Sequence, residues 1–255
     1  MIELKSKREI QLIAEAGKIL RKVFESVKPL VVEGVTTEAL DRVAEKVILE
    51  NGGQPAFKGY RGFPSTACIS VNEAVVHGIP DARRLKHGDI VSVDVGVKLN
   101  GFYADAARTW PVGEVGPEKK ALISTAKDSL DAMLAAYQPG WRIGDISQMI
   151  QQHVEGRGFQ LVRDYAGHGI GRQLHEDPQV PNYGKGGRGA KIEPGLVIAV
   201  EPMVTAGNYA VETLADGWTV VTKDRKNASH YEDTIAFTEN GFINLTGSQA
   251  FDPCI

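Results

Sequence analysis

The sequence predicts an α+β fold built as two similar halves around a shared centre, and three observations carry that prediction. Short β-branched runs such as Ile90 to Val97 are interspersed with amphipathic helical stretches, and a pair of such helices opens each half. Lys86-His87-Gly88-Asp89-Ile90-Val91-Ser92-Val93-Asp94 lines up with Glu193-Pro194-Gly195-Leu196-Val197-Ile198-Ala199-Val200-Glu201, so that Asp94 and Glu201 each sit six residues after a glycine. Upstream, Gly34 and Gly140 stand 54 and 55 residues before those glycines, and His77-Gly78-Ile79 echoes His168-Gly169-Ile170. Repetition on this scale suggests one domain over residues 1–255 whose halves are about 1–117 and 118–255.

Ser6-Lys7-Arg8-Glu9 is a capping box that starts the first helix. Ile10, Ile13, Ala14, Gly17, Leu20, Phe24 and Val27 recur at helical spacing until Pro29 stops the run. A second helix runs from about Thr37 to Glu50 with Leu40, Val43, Ala44 and Val47 inward, ending before Gly52-Gly53. Phe57 to Pro64 is a loop of aromatics and glycines, suited either to packing or to walling an apolar pocket. Ala67 to Val71 then reads as a strand leading into Asn72-Glu73-Ala74-Val75-Val76-His77-Gly78-Ile79-Pro80.

The richest stretch is Ile90 to Trp110. Asn100-Gly101 signals a two-residue hairpin turn. With Leu99 and Phe102 flanking it, Asp105 faces Gly96 and Asp94 faces Ala107. Side chains alternate with period 2, so Asp94 and Asp105 project from the same face, at roughly 7 to 8 Å as diagonal neighbours. Two carboxylates in a Val-rich hairpin must be solvated, protonated or holding a cation.

The second half opens with helices from about Glu118 to Tyr137 and Asp145 to Val154. Phe159 to Asp164 reads as a strand delivering Gly167-His168-Gly169-Ile170-Gly171 and His175-Glu176-Asp177-Pro178, where glycines let the backbone approach something closely. Gly184 to Gly189 lacks the Gly-Lys-Ser/Thr ending of a phosphate loop, which argues against nucleotide binding. Strand Leu196 to Glu201 follows, then Gly217 to Val221 and His230 to Phe237.

Composition narrows the function. Hydrophobic residues at 42%, charged residues at 24% and a net charge of −3 give no general attraction to nucleic acid or anionic membrane. The chain has no apolar run near the length of a membrane span and no signal-peptide pattern, and Cys68 and Cys254 are too few for a disulfide framework, so a cytoplasmic location is expected. There is no G-x-S-x-G elbow and no H-E-x-x-H helix. Carboxylates and histidines on strands and turns remain, an inventory suited to divalent cations that activate a water.

Ser70 to Pro80, the Asp94 and Asp105 hairpin, Gly167 to Gly171, His175 to Pro178, Glu201-Pro202 and Tyr231-Glu232-Asp233-Thr234 together closely resemble type I methionine aminopeptidases over nearly the whole chain. The resemblance implies the pita-bread fold, with pseudo-twofold-related halves of antiparallel sheet covered by helices, in its short form. It implies two divalent metal ions, Co²⁺, Mn²⁺, Fe²⁺ or Zn²⁺, held by Asp94, Asp105, His168, Glu201 and Glu232. Asp94 serves one, His168 and Glu201 the other, and Asp105 and Glu232 bridge them. A monovalent cation, Na⁺ or K⁺, falls near Asn72, Ala74 and Ser229.

The same resemblance makes Glu201 the proton shuttle, His175 the donor to the developing oxyanion and His77 the group near the scissile nitrogen or leaving amine. Phe57, Tyr60, Phe63, Cys68, Leu174 and Trp218 map to the methionine pocket. Gln173-Leu174 replaces the glycine and phenylalanine of many relatives, and Phe57 stands where some have cysteine, departures that bear on pocket shape and not on the metals. The implied partners are N-terminal peptides of nascent proteins, cleaved when the second residue is small. Ribosome association follows from that role, although no evident basic patch argues for tight docking; a monomer without membrane or nucleic-acid partners is expected. A proline-specific peptidase uses the same five ligands but usually carries a large N-terminal domain. A non-catalytic binding protein on this fold has typically lost ligands and gained basic segments.

Overall fold

Ser6 starts the first helix through reciprocal bonds: Glu9 N–H donates to its hydroxyl, and its own N–H donates to the Glu9 carboxylate at 2.8 Å. That helix, α1 (Lys7–Val27), and α2 (Thr37–Glu50), capped by Thr36, form the helical layer of the first half. The computed structural model describes residues 2–247; Cys254 lies outside them, and Cys68 is a buried free thiol. Helix α2 buries Leu40, Ala44 and Ile48, while Val43 and Val47 are only half-buried, so its inner face is rotated slightly from the expected stripe.

The strands of the first half are β1 (Gln54–Pro55), β2 (Ala67–Val71), β3 (Ala74–Val76), β4 (Ile90–Leu99) and β5 (Phe102–Pro111). Helices α3 (Pro117–Ala136) and α4 (Ile143–Glu155) follow. The remaining strands are β6 (Gln160–Leu161), β7 (Ala166–Gly169), β8 (Glu176–Pro181), β9 (Val197–Val200), β10 (Met203–Thr205), β11 (Val211–Thr213), β12 (Val220–Thr222), β13 (Ala228–His230), β14 (Asp233–Thr238) and β15 (Gly241–Asn244).

Four antiparallel sheets result rather than one. Strand β4 pairs with β5 along one edge and with β2 and β1 along the other. The largest sheet runs β15-β14-β9-β7-β8, and the two smaller ones run β13-β10-β6 and β11-β12-β3. The hairpin register is the expected one, Leu99 opposite Phe102. Asn100 and Gly101 both take positive φ, 50° and 83°, as a twist-compatible two-residue turn demands. One hydrophobic core lies largely between α1, α2 and the β4 sheet, and a second lies among α3, α4 and the β9–β14 sheet. The paired glycines of the repeat share a backbone role: Gly88 and Gly195 both turn at positive φ, 88° and 95°, just before β4 and β9.

One expected strand is shorter than its sequence suggests. Of Phe159 to Asp164 only Gln160–Leu161 forms a regular strand, against β10, with Val162 N–H adding a bond to Met203 C=O at 3.0 Å; Phe159 and Leu161 face one hydrophobic cluster and Val162 the other, as alternation requires. The glycines of the Gly167 to Gly171 motif do let the backbone approach closely, and what they approach is other backbone: a Cβ on Gly167 would stand 2.4 Å from the Ala199 carbonyl oxygen, and one on Gly169 would stand 2.1 Å from that of Asp177. The Gly184 to Gly189 loop is likewise spoken for, since its Gly184, Gly186 and Gly187 amides donate to Gln151, Gln148 and Asp145 on α4.

Candidate metal centre

Asp94, Ala107 and Glu232 form a row across three chain segments. Asp94 pairs with Ala107 in the hairpin, and Ala107 in turn bridges to Glu232, exchanging backbone hydrogen bonds of 3.0 and 3.3 Å. Residues directly opposed share a face, so two carboxylates stand over one small alanine. Asp105, two residues from Ala107, joins them on that face. Its backbone is clamped by Thr234, whose hydroxyl accepts from Asp105 N–H at 3.0 Å and donates to Asp105 C=O at 2.8 Å.

His168 arrives from the other half on β7, paired with Ala199 of β9. Its Nδ1 lies 2.9 Å from the Gly169 carbonyl, which can only accept, so Nδ1 carries the proton and the Nε2 lone pair is free. That Nε2 sits 3.8 Å from Glu201 Oε1. One donor atom each from Asp105, His168 and Glu232 lie mutually within 4.8 Å. Glu201 follows β9, with its carbonyl held by the buried Asn182 side chain at 2.9 Å.

Burial dominates the electrostatics. It pushes Asp94, Glu201 and Glu232 well above the carboxylate range, reinforced at Asp94 by the Asp105 and Glu201 charges and at Glu232 by those of Asp105, Glu201, Asp94 and Asp233. Asp105 is raised too, again through burial. Burial lowers His168 to about 4 and His175 to about 3, so both are neutral near pH 7. Asp94 Oδ1, Asp105 Oδ1 and Glu232 Oε1 are buried without a hydrogen-bond partner. Orphaned carboxylate oxygens converging beside an imidazole lone pair are a donor set that fits divalent cations.

The expected residues meet in one cavity. Asp94, Asp105, His168, Glu201 and Glu232 line it together with His77, His175 and the six aromatic, aliphatic and thiol wall residues Phe57, Tyr60, Phe63, Cys68, Leu174 and Trp218. At about 150 Å³ it has room for a side chain rather than for a drug-sized ligand. Phe63 and Trp218 meet edge to face at 5.1 Å, and His77 packs against Tyr165 and Trp218. His175 stacks on Tyr60 and its Nδ1 lies 2.9 Å from the Tyr60 hydroxyl.

Residues 11–239 match the sequence profile described as metallopeptidase family M24. The chain belongs to that family. A methionine aminopeptidase of Clostridium perfringens is 52% identical over 246 residues, 96% of this chain and 99% of that one. The crystal structure of a methionine aminopeptidase from Thermotoga maritima superposes with a TM-score of 0.95 at 43% identity, covering 97% of this chain and all of that one. A prolidase from Pyrococcus furiosus shares the fold alone, at 24% identity and a TM-score of 0.77, this chain spanning 66% of its length. Family M24 membership makes the chain a metal-dependent peptide hydrolase with the pita-bread fold. No described helix is long and apolar enough to cross a membrane.

His230 also stands against the acidic cluster. His230 is 1% exposed, its Nε2 lies 3.7 Å from Glu201 Oε2 and 4.0 Å from Glu232 Oε2, and that nitrogen has no hydrogen-bond partner. Arg61, from the loop of aromatics and glycines, lines the cavity and a second one that shares His77, Asp94, His175 and Glu201 with it.

Proposed function

We propose that this enzyme is a methionyl aminopeptidase that removes the N-terminal methionine of nascent proteins and peptides when the second residue is small. The observation that carries the reading is the apolar cavity walled by Phe57, Tyr60, Phe63, Cys68, Leu174 and Trp218, which opens directly on the carboxylate cluster. Asp94, Asp105, His168, Glu201 and Glu232 would hold two divalent cations, drawn from Co²⁺, Mn²⁺, Fe²⁺ or Zn²⁺. The chemistry such cations supply when bound is Lewis acidity, which makes a water acidic and a carbonyl electrophilic.

The side chains do the rest. The Glu201 carboxylate takes a proton from the attacking water and returns it to the leaving amine. His175 Nδ1 lies 2.9 Å from the Tyr60 hydroxyl; with that hydroxyl as donor, the His175 proton sits on Nε2, placed to stabilise the oxyanion. His77, neutral because burial lowers its pKa, holds the nitrogen side of the scissile bond. The free α-amino group is received on the Asp94 side, beside Cys68, its partner across β2 and β4. Residues Asn72, Ala74 and Ser229 would hold a Na⁺ or K⁺ through backbone oxygens. Ala228 N–H already ties the last segment to Asn72 C=O at 2.8 Å.

The test is release of free methionine from Met-Ala and Met-Gly peptides by protein reconstituted with each divalent metal under anaerobic conditions. Release that requires metal and fails on an acetylated terminus supports the reading. Release only before proline replaces it with a prolidase activity, and no release with any metal replaces it with a binding function.

A further inference from the structure

Lys5 is buried almost whole, its side chain 2% exposed, with Nζ 2.6 Å from Glu176 Oε2. The same ammonium donates to the Glu3 carbonyl at 2.8 Å, and Lys5 N–H donates to the Gly195 carbonyl at 2.6 Å. The N-terminal segment is thus fastened across the turn that joins β7 to β8. Glu176 uses its other oxygen on that turn, Oε1 accepting from Gln173 N–H at 3.0 Å. Between Gln173 and Glu176 lie Leu174, a wall of the cavity, and His175.

Gly171 shows that the arrangement is built in. A Cβ there would stand 2.2 Å from Lys5 Cε, so the last glycine of the Gly167 to Gly171 motif is what admits the lysine stem. A second tie runs in parallel, Arg172 donating to Glu9 of α1 at 2.7 Å. Ile170, Gly171 and Leu174 are buried, but Arg172, Gln173 and His175 are exposed, so the His175 end of the turn has fewer packing contacts and relies more on these polar ties. The ring of His175 lies between Tyr60, on which it stacks, and His168 at 4.2 Å, while the backbone that carries it is held by the Glu176 bond to Gln173 N–H.

We propose that Lys5 is a positioning residue for hydrolysis: through Glu176 it fixes the turn that presents His175 to the reacting carbonyl. The inference rests on the reading that His175 faces that carbonyl. A methionine at position 5 keeps the apolar stem and removes the charge, leaving the Glu176 carboxylate free to abandon Gln173. Misplacing a catalytic group by about 1 Å costs on the order of 100-fold in rate.

The experiment compares wild type, Lys5→Met and the double variant Lys5→Met/Glu176→Met, each loaded with Zn²⁺. The measurements are kcat and KM on a Met-Ala peptide, thermal stability, and the imidazole NMR signals, with that of His175 identified by its loss in His175→Asn. For Lys5→Met the expected result is a fall in kcat of about 10- to 100-fold with KM little changed, and a shifted or broadened His175 signal beside an unmoved His77 signal. The double variant, an apolar pair in place of the ion pair, is expected to recover stability without recovering kcat. Recovery of both would assign Lys5 a purely structural role and overturn the proposal, as would an unmoved His175 signal and unchanged kcat in folded Lys5→Met. If Lys5→Met does not fold, Glu176→Gln takes its place with the same expectations. A wild type that releases no methionine overturns the reading of the site, while the His175 signal still decides the role of Lys5.

Discussion

Ala107 and Glu232 exchange two backbone hydrogen bonds, at 3.0 and 3.3 Å, across the seam between the hairpin sheet of the first half and the large sheet of the second. They lie 125 residues apart in the chain. Through that bridge the first half supplies Asp94 and Asp105 while the second supplies Glu232, so the carboxylate cluster exists only where the two sheets meet. Arg108 reinforces the joint from the next position, donating to the Glu232 carbonyl at 2.5 Å and to Asp233 at 2.6 Å between the rings of Phe24 and Tyr231.

Thr234 is the second rivet of the seam. Thr234→Val keeps the shape but leaves the Asp105 N–H and C=O, both bonded to its hydroxyl, without partners in a fully buried position. Two unsatisfied buried backbone groups cost about 2–4 kcal/mol together. The expected outcome is a lower melting temperature and a divalent-metal affinity reduced about 10- to 100-fold, as for other groups that orient a ligand. Calorimetric titration with Mn²⁺, alongside thermal unfolding, checks it.

His77 and His175 line the cavity without belonging to the acidic cluster. His77→Ala and His175→Ala are therefore expected to lower kcat by on the order of 100-fold or more while bound metal stays within about twofold of wild type. Metal analysis of the same preparations used for kinetics separates the two effects. Near-normal turnover in both variants would remove these histidines from the mechanism.

Much of the site could be read from the chain because local rules fix it. Asn100-Gly101 sets the hairpin register, and the register places Asp94 and Asp105 on one face without any tertiary information. The six-residue spacing from Gly88 and Gly195 is legible because each glycine makes the same left-handed turn into a buried strand. What escaped the sequence is long-range. Nothing near Glu232 announces Ala107 as its neighbour, nothing near Arg108 announces Asp233, and the glycines about His168 announce a close approach without saying that its partners are the Ala199 and Asp177 backbones. His230 was missed for the same reason, since a histidine at the end of a three-residue strand acquires meaning only from the carboxylates that fold brings to it.

The histidine facing Trp218 and Tyr165 also carries a pH signature. Burial lowers the His77 pKa from its ordinary 6.5. In that case the unfolded chain binds the proton more tightly, so the contribution to stability is complete above about pH 6.5 and is lost as pH falls into the window below it. His77→Gln has no such group. The melting-temperature difference between wild type and His77→Gln is expected to shift against the wild type as pH falls from 7 towards 5, measured at fixed metal concentration. A difference that stays flat over that range would mean that His77 is as easily protonated in the folded chain as in water.

The wall of the apolar pocket depends on a residue that has no side chain. Gly96 pairs with Asp105, so a Cβ at that position would project onto the site face, where it would stand 2.6 Å from Phe57 Cε1 and 2.9 Å from the Ala56 Cβ. Phe57 is 8% exposed and has little room to retreat. Gly96→Ala should therefore push the Phe57 ring into the cavity, at an overpacking cost of roughly 1–3 kcal/mol. Because the obstruction falls where the methionine side chain would sit, the expected effect is a rise in KM for Met-Ala peptides of about tenfold, equivalent to roughly 1.4 kcal/mol, with kcat much less affected. Adding Phe57→Leu to Gly96→Ala should restore KM by returning the lost space, which steady-state kinetics on the two variants will show. If Gly96→Ala lowers kcat and leaves KM unchanged, the strain has passed to Asp105 instead, and Phe57 is not the wall against which the substrate side chain is held.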